Sequence, residues 1–578
     1  MDKTIENVRY FGRQTIDGKP NTTTLELVGL DTEAYTTGEC FMIATSEGDV
    51  WHAADWPRCV FTRKYRRKKF ACWNLKYDEG ALLQFLPEDC LHELWEKGKT
   101  DYDGWKVRSI PQKMLSISRS GNAVTLYDMY QFYGMSLDAA AKKYLGESKI
   151  DIDTKRFTPE IVDARWDEIA NYCVRDAELA ARLSQKMVGV FLKFDIYPSK
   201  LYSTAYVSFQ YFKSHTKYPT VKNLWDDNKS VLGYAMNAYR GGKFEVTRKG
   251  GGFYYEYDIV SAYPNEIKEL VDISHARIIY SKQYRKNAVY GFLHVKAQIP
   301  NDIYSPLAIK RGALSVYPVG LVDTWCTKEE YEYLLRQNID VEILEAAWLH
   351  IDRRTKPFKD EIERLVLLKQ QYKGENTQLE YHTVKILLNS LYGKMVQLIN
   401  ARTFWRASSC WNPIYAAVIT ANVRIRISEM QQLYDSVVAV HTDSVISTAP
   451  LPLELSKSLG GWMLEDQGDG VIIGSGVYQI ADKVRFRGFG RDMNLMELCT
   501  RHRKTVDIPT VRAVTWRECA FHKWEKIRIN RFEDTPKKLR CDFDCKRLWL
   551  GDYKRFDEIL KRNVQSLPID ADILRLLG

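Results

Sequence analysis

Hydrophobic and polar positions along the chain form patterns that predict both strands and helices. An aromatic run from Phe253 to Tyr257 has the composition of a buried strand, and Pro264 follows soon after it. We therefore expect the strand to open into a turn near Asp258. A carboxylate there is poorly solvated and fixed in direction, which suits a divalent-metal ligand; an Asp that caps the next turn is the alternative.

Two later stretches combine a regular pattern with polar side chains. Lys385, Asn389 and Tyr392 share one face of a predicted helix, and Gly393 is expected to end or weaken that helix. Further on, two β-branched runs predict a hairpin with Asp443 at its tip. A cation, an amide, an aromatic ring and two acids are thus presented from three separate elements.

The three stretches contain short motifs that resemble the polymerase motifs of family B DNA polymerases. They are DxxSxYP from Asp258, KxxxNSxYG from Lys385, and TDS, which contains Asp443. The resemblance implies that Asp258 and Asp443 bind two Mg²⁺ ions, which Mn²⁺ can replace. It also implies that Lys385 neutralises the triphosphate, while Asn389 and Tyr392 line the nucleotide pocket.

Further substrate-binding candidates follow from the same resemblance and from charge. Tyr263 would lie beneath the sugar of the nucleotide and exclude a 2′-hydroxyl. Lys369 and Lys373 belong to a stretch, 357–388, that is predicted to be helical, and either could reach a triphosphate beside Lys385.

A YxGG element precedes the first polymerase motif. Tyr239, Gly241 and Gly242 match every specified position of it, and in the family it binds template. Two glycines allow the backbone to approach a ligand closely, and a plain turn is the alternative.

Two positions depart from the family pattern. His441 stands where the family motif DTDS has its first Asp, so it either tunes the site by hydrogen bonding or marks a weakened site. Gly476 stands where a KxY element has its Lys, and Lys483, Arg485 or Arg487 could replace that charge.

Four acids in the first third of the chain form a second candidate site. Asp31 and Glu33 point to one side of a predicted strand, where they repel each other unless a cation lies between them; exposed strand acids are the alternative. Asp78 is predicted to end another strand, and Asp176 lies one helical turn after Tyr172. Two strands and a helix would then supply the acids that a two-metal nuclease needs.

This set resembles the exonuclease motifs DxE, NxxxD and YxxxD of proofreading DNA polymerases. The resemblance implies that Asp31, Glu33, Asp78 and Asp176 bind metal ions, that Tyr172 orients the attacking water and that Asn74 contacts substrate. Lys149 matches a further catalytic lysine of the protein-primed branch, and a surface lysine is the alternative reading of that position.

Length and resemblance together predict an α+β multidomain fold: an RNase H-like exonuclease domain followed by a right-hand polymerase. An inserted subdomain at 295–360 favours the protein-primed branch, in which such an insertion contacts the priming protein. The predicted division is exonuclease 1–190, palm 191–294, inserted subdomain 295–360, fingers with a short second insertion 361–430, palm 431–495 and thumb 496–578.

Composition agrees with an anionic partner. The 578 residues carry a formal charge of +10, and basic residues interleave with Trp516 and Trp524 between positions 501 and 547. The sequence contains neither an apolar run long enough for a membrane span nor the layout of a signal peptide, so we expect an intracellular protein of the host cytoplasm with no membrane partner.

Eleven cysteines at irregular spacing do not suggest a disulfide framework. Two CxxH pairs could together offer two thiolates and two imidazoles to zinc, although chance spacing is the simpler explanation. These residues are Cys499, His502, Cys519 and His522.

The predicted function is a DNA-directed DNA polymerase that replicates a linear viral or plasmid genome, starts on a hydroxyl of a terminal protein and proofreads with a 3′–5′ exonuclease. Its expected partners are template and primer DNA, dNTPs, the terminal protein and a single-strand DNA-binding protein. Alternatives are a polymerase that extends nucleic-acid primers, an editing nuclease with an impaired polymerase site, and a silent DNA-binding scaffold.

Overall fold

The computed structural model describes residues 3–12, 24–312, 314–401, 403–489 and 493–577. No helix within these ranges is both long and apolar enough to cross a lipid bilayer. Three large β-sheets dominate the described part of the chain, and helices cover and connect them.

The first sheet is built from residues 27–128 and has a parallel centre. In spatial order its strands are Val50–His52, Cys40–Thr45, Leu27–Ala34, Lys69–Cys72, Asn122–Asp128, Met114–Arg119, Trp105–Ile110 and Lys99–Tyr102. The long helix Trp166–Lys193 packs across the strand Leu27–Ala34. A Cβ on Gly29 would lie 1.8 Å from the carbonyl oxygen of Ala177, so only glycine lets the helix come this close.

The prediction of one strand ending at Asp78 is wrong. The strand ends at Cys72, Asn74 has a left-handed backbone (φ 62°), and the helix Leu75–Leu83 carries Asp78 in its first turn. The buried Asp128 carboxylate accepts hydrogen bonds from the backbone N–H groups of Asn74 (3.0 Å) and Leu75 (3.3 Å) and so satisfies the start of this helix. That contact is tertiary, and the local pattern does not contain it.

Other helices complete this part of the molecule and lead to the next sheet. The helices are Glu88–Lys97, Tyr130–Tyr133, Leu137–Leu145, Pro159–Ala164, Thr204–His215, Lys222–Asp227 and Lys229–Ala238.

The second large sheet contains both polymerase motifs that carry an Asp. Its main path runs through Lys243–Val246, Val437–Thr442, Ser444–Ser447, Arg248–Ile259, Trp462–Gly474, Val477–Ile480 and Lys483–Phe486, and Val564–Leu567 pairs with the start of the strand Arg248–Ile259. The helix Ala262–Glu269 follows that strand, with Pro264 in its first turn. The predicted hairpin is confirmed, with Asp443 as its turn residue.

The third large sheet lies between the first two polymerase motifs. Its order is Arg277–Tyr280, Val341–His350, Tyr290–Ile299 and Gly320–Thr327. The helix Lys328–Arg336, capped by Thr327, follows the last of these strands. The sheet therefore starts before position 295, where the inserted subdomain was expected to begin.

The stretch 357–388 was predicted to be helical throughout, but the structure has two helices there. Lys359–Gln371 and Gln378–Met395 are separate helices, and Gly374 lies in the break between them. Gly393 lies inside the second helix and does not end it, because Leu391 and Met395 on either side of it are fully buried and hold the last turn in place. The next long helix is Pro413–Leu433.

The C-terminal region reaches back to the first sheet. Paired strands, Thr505–Ile508 with Lys537–Arg540 and Val511–Ala513 with Phe532–Asp534, form a long arm. At its end the helix Trp516–His522 packs against the helix Glu88–Lys97, and Trp516 belongs to the hydrophobic core of the first domain. The remaining helices are Leu495–Leu498, Phe556–Lys561 and Ala571–Leu577.

Candidate active sites

Asp258 and Asp443 lie side by side at one end of the second sheet. Asp258 is the penultimate residue of its strand and is paired with Ser444, the neighbour of Asp443. The backbone N–H of Ile259 donates to the carbonyl oxygen of Asp443 at 2.9 Å, which fixes the strand end against the hairpin turn. Two residues that are far apart in sequence therefore meet at the same edge.

The electrostatics of this pair fit a divalent-metal site. Burial and then the neighbouring Asp443 raise the pKa of Asp258 to about 7, and burial raises the pKa of Asp443 to about 6. Among the described residues, neither carboxylate accepts a hydrogen bond from another side chain. A cation between the two would offset both the burial and the repulsion, so these are the residues that could hold metal ions.

A second group of carboxylates assembles where the first sheet meets the helix Trp166–Lys193. Asp31 and Glu33 come from the strand Leu27–Ala34, Asp176 comes from the helix, and the Thr32 hydroxyl donates to Asp78 at 2.9 Å. The acids therefore come from one strand and two helices, and not from two strands and a helix as predicted, because Asp78 lies on a helix.

Burial raises the pKa of every acid in this group, and repulsion by the other acids adds to this effect for Asp31 and Glu33. Burial, followed by Asp176 and Asp78, holds the pKa of Asp31 well above its usual range, and burial followed by Asp176 raises that of Glu33 to about 8. Burial raises the pKa of Asp78 to about 7 despite its hydrogen bond from Thr32. So many buried like charges are stable together only with protons or cations among them, and this fits a metal-binding role.

Lys149 supplies one positive charge to this group. Its Nζ lies 2.5 Å from Asp176 Oδ2 and 5.0 Å from the centre of the Tyr172 ring. Burial alone would lower the pKa of Lys149, but Asp176 and Tyr172 outweigh that effect and raise it. Sequence reasoning missed Asp128, which orders the Asn74 turn, and Cys173, whose thiol donates to Asp31 Oδ2 at 3.7 Å.

Comparisons with known proteins bear on the family and the fold of this chain. The family model described as DNA polymerase type B, organellar and viral, matches residues 160–409. The described fold superposes on phi29 DNA polymerase in an orthorhombic crystal form (TM-score 0.60, 16% identity, 84% of this chain and 97% of that one). It also matches phi29 DNA polymerase complexed with primer-template DNA (TM-score 0.63, 15% identity, 89% and 100%). A comparison with curated protein sequences finds no match.

The chain resembles protein-primed family B DNA polymerases. Its fold class is the predicted one, α+β and multidomain, as in phi29 DNA polymerase. The first sheet lies within the stretch predicted as the exonuclease domain, and most of the second sheet lies within the stretches predicted as the palm, a name kept below for that sheet.

The palm departs from the family motif at His441, whose side chain packs within the sheet. Its Nε2 accepts a hydrogen bond from the backbone N–H of Gly476 at 3.3 Å, and its ring stacks on Tyr478 at 4.7 Å. Burial, together with Lys546, Arg485 and Arg487, lowers the pKa of His441 to about 3. The His441 ring is therefore kept neutral at a position where the family motif has an acid.

The lysine missing from the KxY element has a nearby counterpart. Lys483 forms a salt bridge with Glu256 at 2.8 Å, and the Tyr478 hydroxyl donates to the same carboxylate at 2.8 Å. Lys483 also acts electrostatically on Asp258. Sequence reasoning missed Glu256, although it lies two residues before Asp258 on the same strand and so on the same face.

The polymerase helix Gln378–Met395 presents the expected polar face. Lys385 and Asn389 are exposed on it, whereas the residues between them are buried. Burial and then Lys385 and Lys373 lower the pKa of Lys369, so these three lysines lie close enough to repel one another. A cluster of cations of this kind fits the phosphates of a nucleotide.

Three tyrosines connect this helix to the palm. The hydroxyls of Tyr239 and Tyr392 are 2.5 Å apart, and the ring centres of Tyr263 and Tyr392 are 4.8 Å apart. Packing within the protein explains the glycine at position 242, because a Cβ there would lie 2.7 Å from Thr442 Cγ2 in the hairpin that carries Asp443. The Gly241 carbonyl accepts from the buried Arg424 guanidinium at 2.9 Å.

The four candidate zinc ligands do not form one site. Cys499 is buried in the hydrophobic cluster of the C-terminal region and Cys519 in that of the first domain. His502 pairs with Asp557 at 3.0 Å, and His522 stacks on Trp524. Packing thus separates the two CxxH pairs, and zinc has no ligand set there.

Proposed function

We propose that this chain is a DNA-directed DNA polymerase with a 3′–5′ proofreading exonuclease, and that it replicates a linear viral or plasmid genome from a terminal-protein hydroxyl. The observation that carries the polymerase proposal is the convergence of Asp258 and Asp443 at one edge of the palm sheet. The division into domains belongs to this proposal, with boundaries as predicted above except that the inserted sheet begins at Arg277.

The roles of the polymerase residues follow from charge and position. Asp258 and Asp443 would hold Mg²⁺, which when bound lowers the pKa of the attacking hydroxyl and stabilises charge on the phosphates. Lys385, Lys369 and Lys373 would bind the triphosphate of the incoming dNTP. Tyr263 and Tyr392, whose rings are in contact, would form the wall of the nucleotide pocket.

Proofreading would take place at the carboxylate group of the first domain. Asp31, Glu33, Asp78 and Asp176 would hold divalent ions, Tyr172 would orient the attacking water, and Lys149 would limit the repulsion. Asn74 lies exposed at the start of its helix, where a single strand of DNA could reach it. Template and primer DNA, dNTPs and a single-strand DNA-binding protein are the expected partners.

Protein priming is favoured by the sheet that is inserted between the first two polymerase motifs, Arg277–His350, since an insertion at this place contacts the priming protein in the family. The alternative is a primer that ends in a nucleic-acid hydroxyl. The catalytic residues are common to both, so only an experiment on the acceptor separates them.

The test has two parts. Extension of a DNA primer on a template with Mg²⁺ and dNTPs tests polymerase activity, and no extension would leave the editing nuclease as the better proposal. Incubation with labelled dATP and the terminal protein encoded nearby tests priming. Label that stays on protein after denaturation, and that Asp443→Ala abolishes, is the expected result. Primer extension without labelled protein would favour nucleic-acid priming.

A further inference from the structure

One thiol lies within the carboxylate group of the first domain. Asp31, Glu33 and Cys173 each offer an oxygen or sulfur atom, and these atoms all lie within 4.8 Å of one another. Within the described residues, no other group of three His, Cys, Asp or Glu side chains is arranged closely enough to hold a metal ion. Cys173 is thus part of the candidate metal site.

The fold holds this thiol in place. Cys173 is completely buried in a hydrophobic cluster that includes Phe41 and Ile169, while its Sγ lies 3.7 Å from Asp31 Oδ2. It lies three residues before Asp176, so both side chains project from one face of the helix Trp166–Lys193. Apolar packing on one side of Cys173 and the contact with Asp31 on the other therefore keep the thiol directed at the carboxylate.

A second observation points to a cation at this place. Asp176 is only 3% exposed, its Oδ2 pairs with Lys149, and its Oδ1 has no hydrogen-bond partner among the described residues. Asp176 is also the charged group with the strongest effect on Glu33 and Asp31. A buried acceptor without a partner, on a carboxylate that acts on two other carboxylates, is stabilised by a positive charge nearby.

We propose that Cys173 makes this a mixed carboxylate and thiolate site that binds soft divalent ions, such as Zn²⁺ or Cd²⁺, in competition with Mg²⁺. Sulfur ligands favour such ions, whereas Mg²⁺ prefers oxygen alone. On binding, a metal–sulfur bond forms and the thiol proton passes to solvent. The inference rests on the proposed nuclease site and adds a metal selectivity that the polymerase site, with its two carboxylates, does not have.

The test measures Cd²⁺ binding to the full chain by ultraviolet thiolate-to-metal charge-transfer absorption. Cys545 is exposed and Cys90 is partly exposed, so both are first replaced by Ser to remove accessible thiols. In that background we compare the protein that retains Cys173 with two variants, Cys173→Ser and Cys499→Ala. The second variant is the control, because Cys499 is another buried thiol and its surroundings are apolar. The expected result is an absorption band that Cys173→Ser abolishes and Cys499→Ala retains, with Cd²⁺ binding weakened at least about tenfold.

A band that persists in Cys173→Ser, or no band at all, would overturn the proposal. If Cys173→Ser does not fold, the cadmium NMR signal of the unsubstituted site still decides, because a sulfur ligand shifts it strongly from its position with oxygen ligands alone. Nuclease activity is assayed separately with Mg²⁺. The band without any Mg²⁺-dependent digestion would support the metal site and contradict the proposed nuclease function.

Discussion

The two carboxylate sites of this chain solve the same electrostatic problem differently. At the proposed nuclease site, Lys149, Thr32 and Cys173 contact the acids and hold them in place. At the polymerase site, no other described side chain donates a hydrogen bond to Asp258 or Asp443. The nearby cation, Lys483, is paired with Glu256 instead. The carboxylates of the first sheet are therefore held by the protein itself, whereas Asp258 and Asp443 lack such side-chain contacts among the described residues.

The largest expected effect is the separation of the two activities. Asp443→Ala should reduce nucleotide incorporation by more than about a hundredfold, since it removes a direct metal ligand. Digestion of single strands should be unchanged, because Asp443 lies in a different sheet. Primer extension and single-strand digestion measure the two, and Asp469→Ala, an exposed residue of the same sheet, is the control. Retained incorporation would remove Asp443 from the site.

The reciprocal change should have an effect of similar size. Asp31→Ala combined with Glu33→Ala should abolish digestion of single strands and preserve primer extension, because both acids belong to the first sheet. The exposed Asp101→Ala serves as the control in the same domain. If digestion continued at the normal rate, the nuclease assignment would fail.

Lys149 distinguishes the two proposed sites, because it forms a salt bridge with an acid of the nuclease site, whereas no described lysine pairs with Asp258 or Asp443. Lys149→Ala should lower digestion about 10- to 100-fold and leave incorporation unchanged, since it acts through Asp176 and Tyr172. Lys149→Arg should recover part of the rate. Lys142→Ala, which removes a mostly exposed lysine paired with Asp138, is the matched control. An equal loss in both variants would point to a general effect on folding.

A smaller effect is expected at His441. His441→Asp should keep incorporation within about tenfold of the original rate. The positive charges of Arg485, Arg487 and Lys546 act on this position and would stabilise a carboxylate there. The pKa of His441 is lowered to about 3, so its titration should not shape the pH–rate profile between pH 5 and 8. An inactive variant with normal folding would show that the imidazole itself is needed.

The smallest effect concerns stability without metal. The folded state raises the pKa of Asp258 to about 7, so between about pH 4 and 7 it binds a proton that the unfolded chain has lost. The free energy of unfolding should therefore fall as the pH rises through this range. Asp258→Asn should unfold a few degrees higher than the original protein at pH 8 without metal, and Mg²⁺ should reduce that difference. Identical melting profiles would contradict the raised pKa.

Sequence patterns predicted correctly those elements around Asp258 and Asp443 that depend on local burial alone. The buried strand that ends beside Asp258 and the hairpin at Asp443 are found as expected, because alternation and β-branched runs report local burial. The helix of Lys385 was found too, but its limits were wrong on both sides. Its start follows a break near Gly374, and its end is fixed by tertiary packing of Leu391 and Met395.

The nuclease site was harder to predict, because its geometry depends on contacts between distant segments. Asp78 lies on a helix since Asp128, 50 residues later, satisfies the N–H groups at the start of that helix. Cys173 follows Tyr172 in the sequence but belongs to none of the exonuclease motifs, so the pattern does not predict its place in the site. Only the close packing of its helix on Gly29 brings its thiol to Asp31.

By itself, the sequence determined which chemistry the chain carries: the order and spacing of its acids, lysines and tyrosines, and the strands and helices that bear them. Tertiary structure decided which of these side chains share a site and in what electrostatic state. It brought Asp258 to Asp443, paired Lys149 with Asp176, placed His441 in the sheet as a neutral ring and separated the two CxxH pairs. The physical reason is that residue type and period are local, whereas desolvation and charge pairing depend on which distant segments pack together.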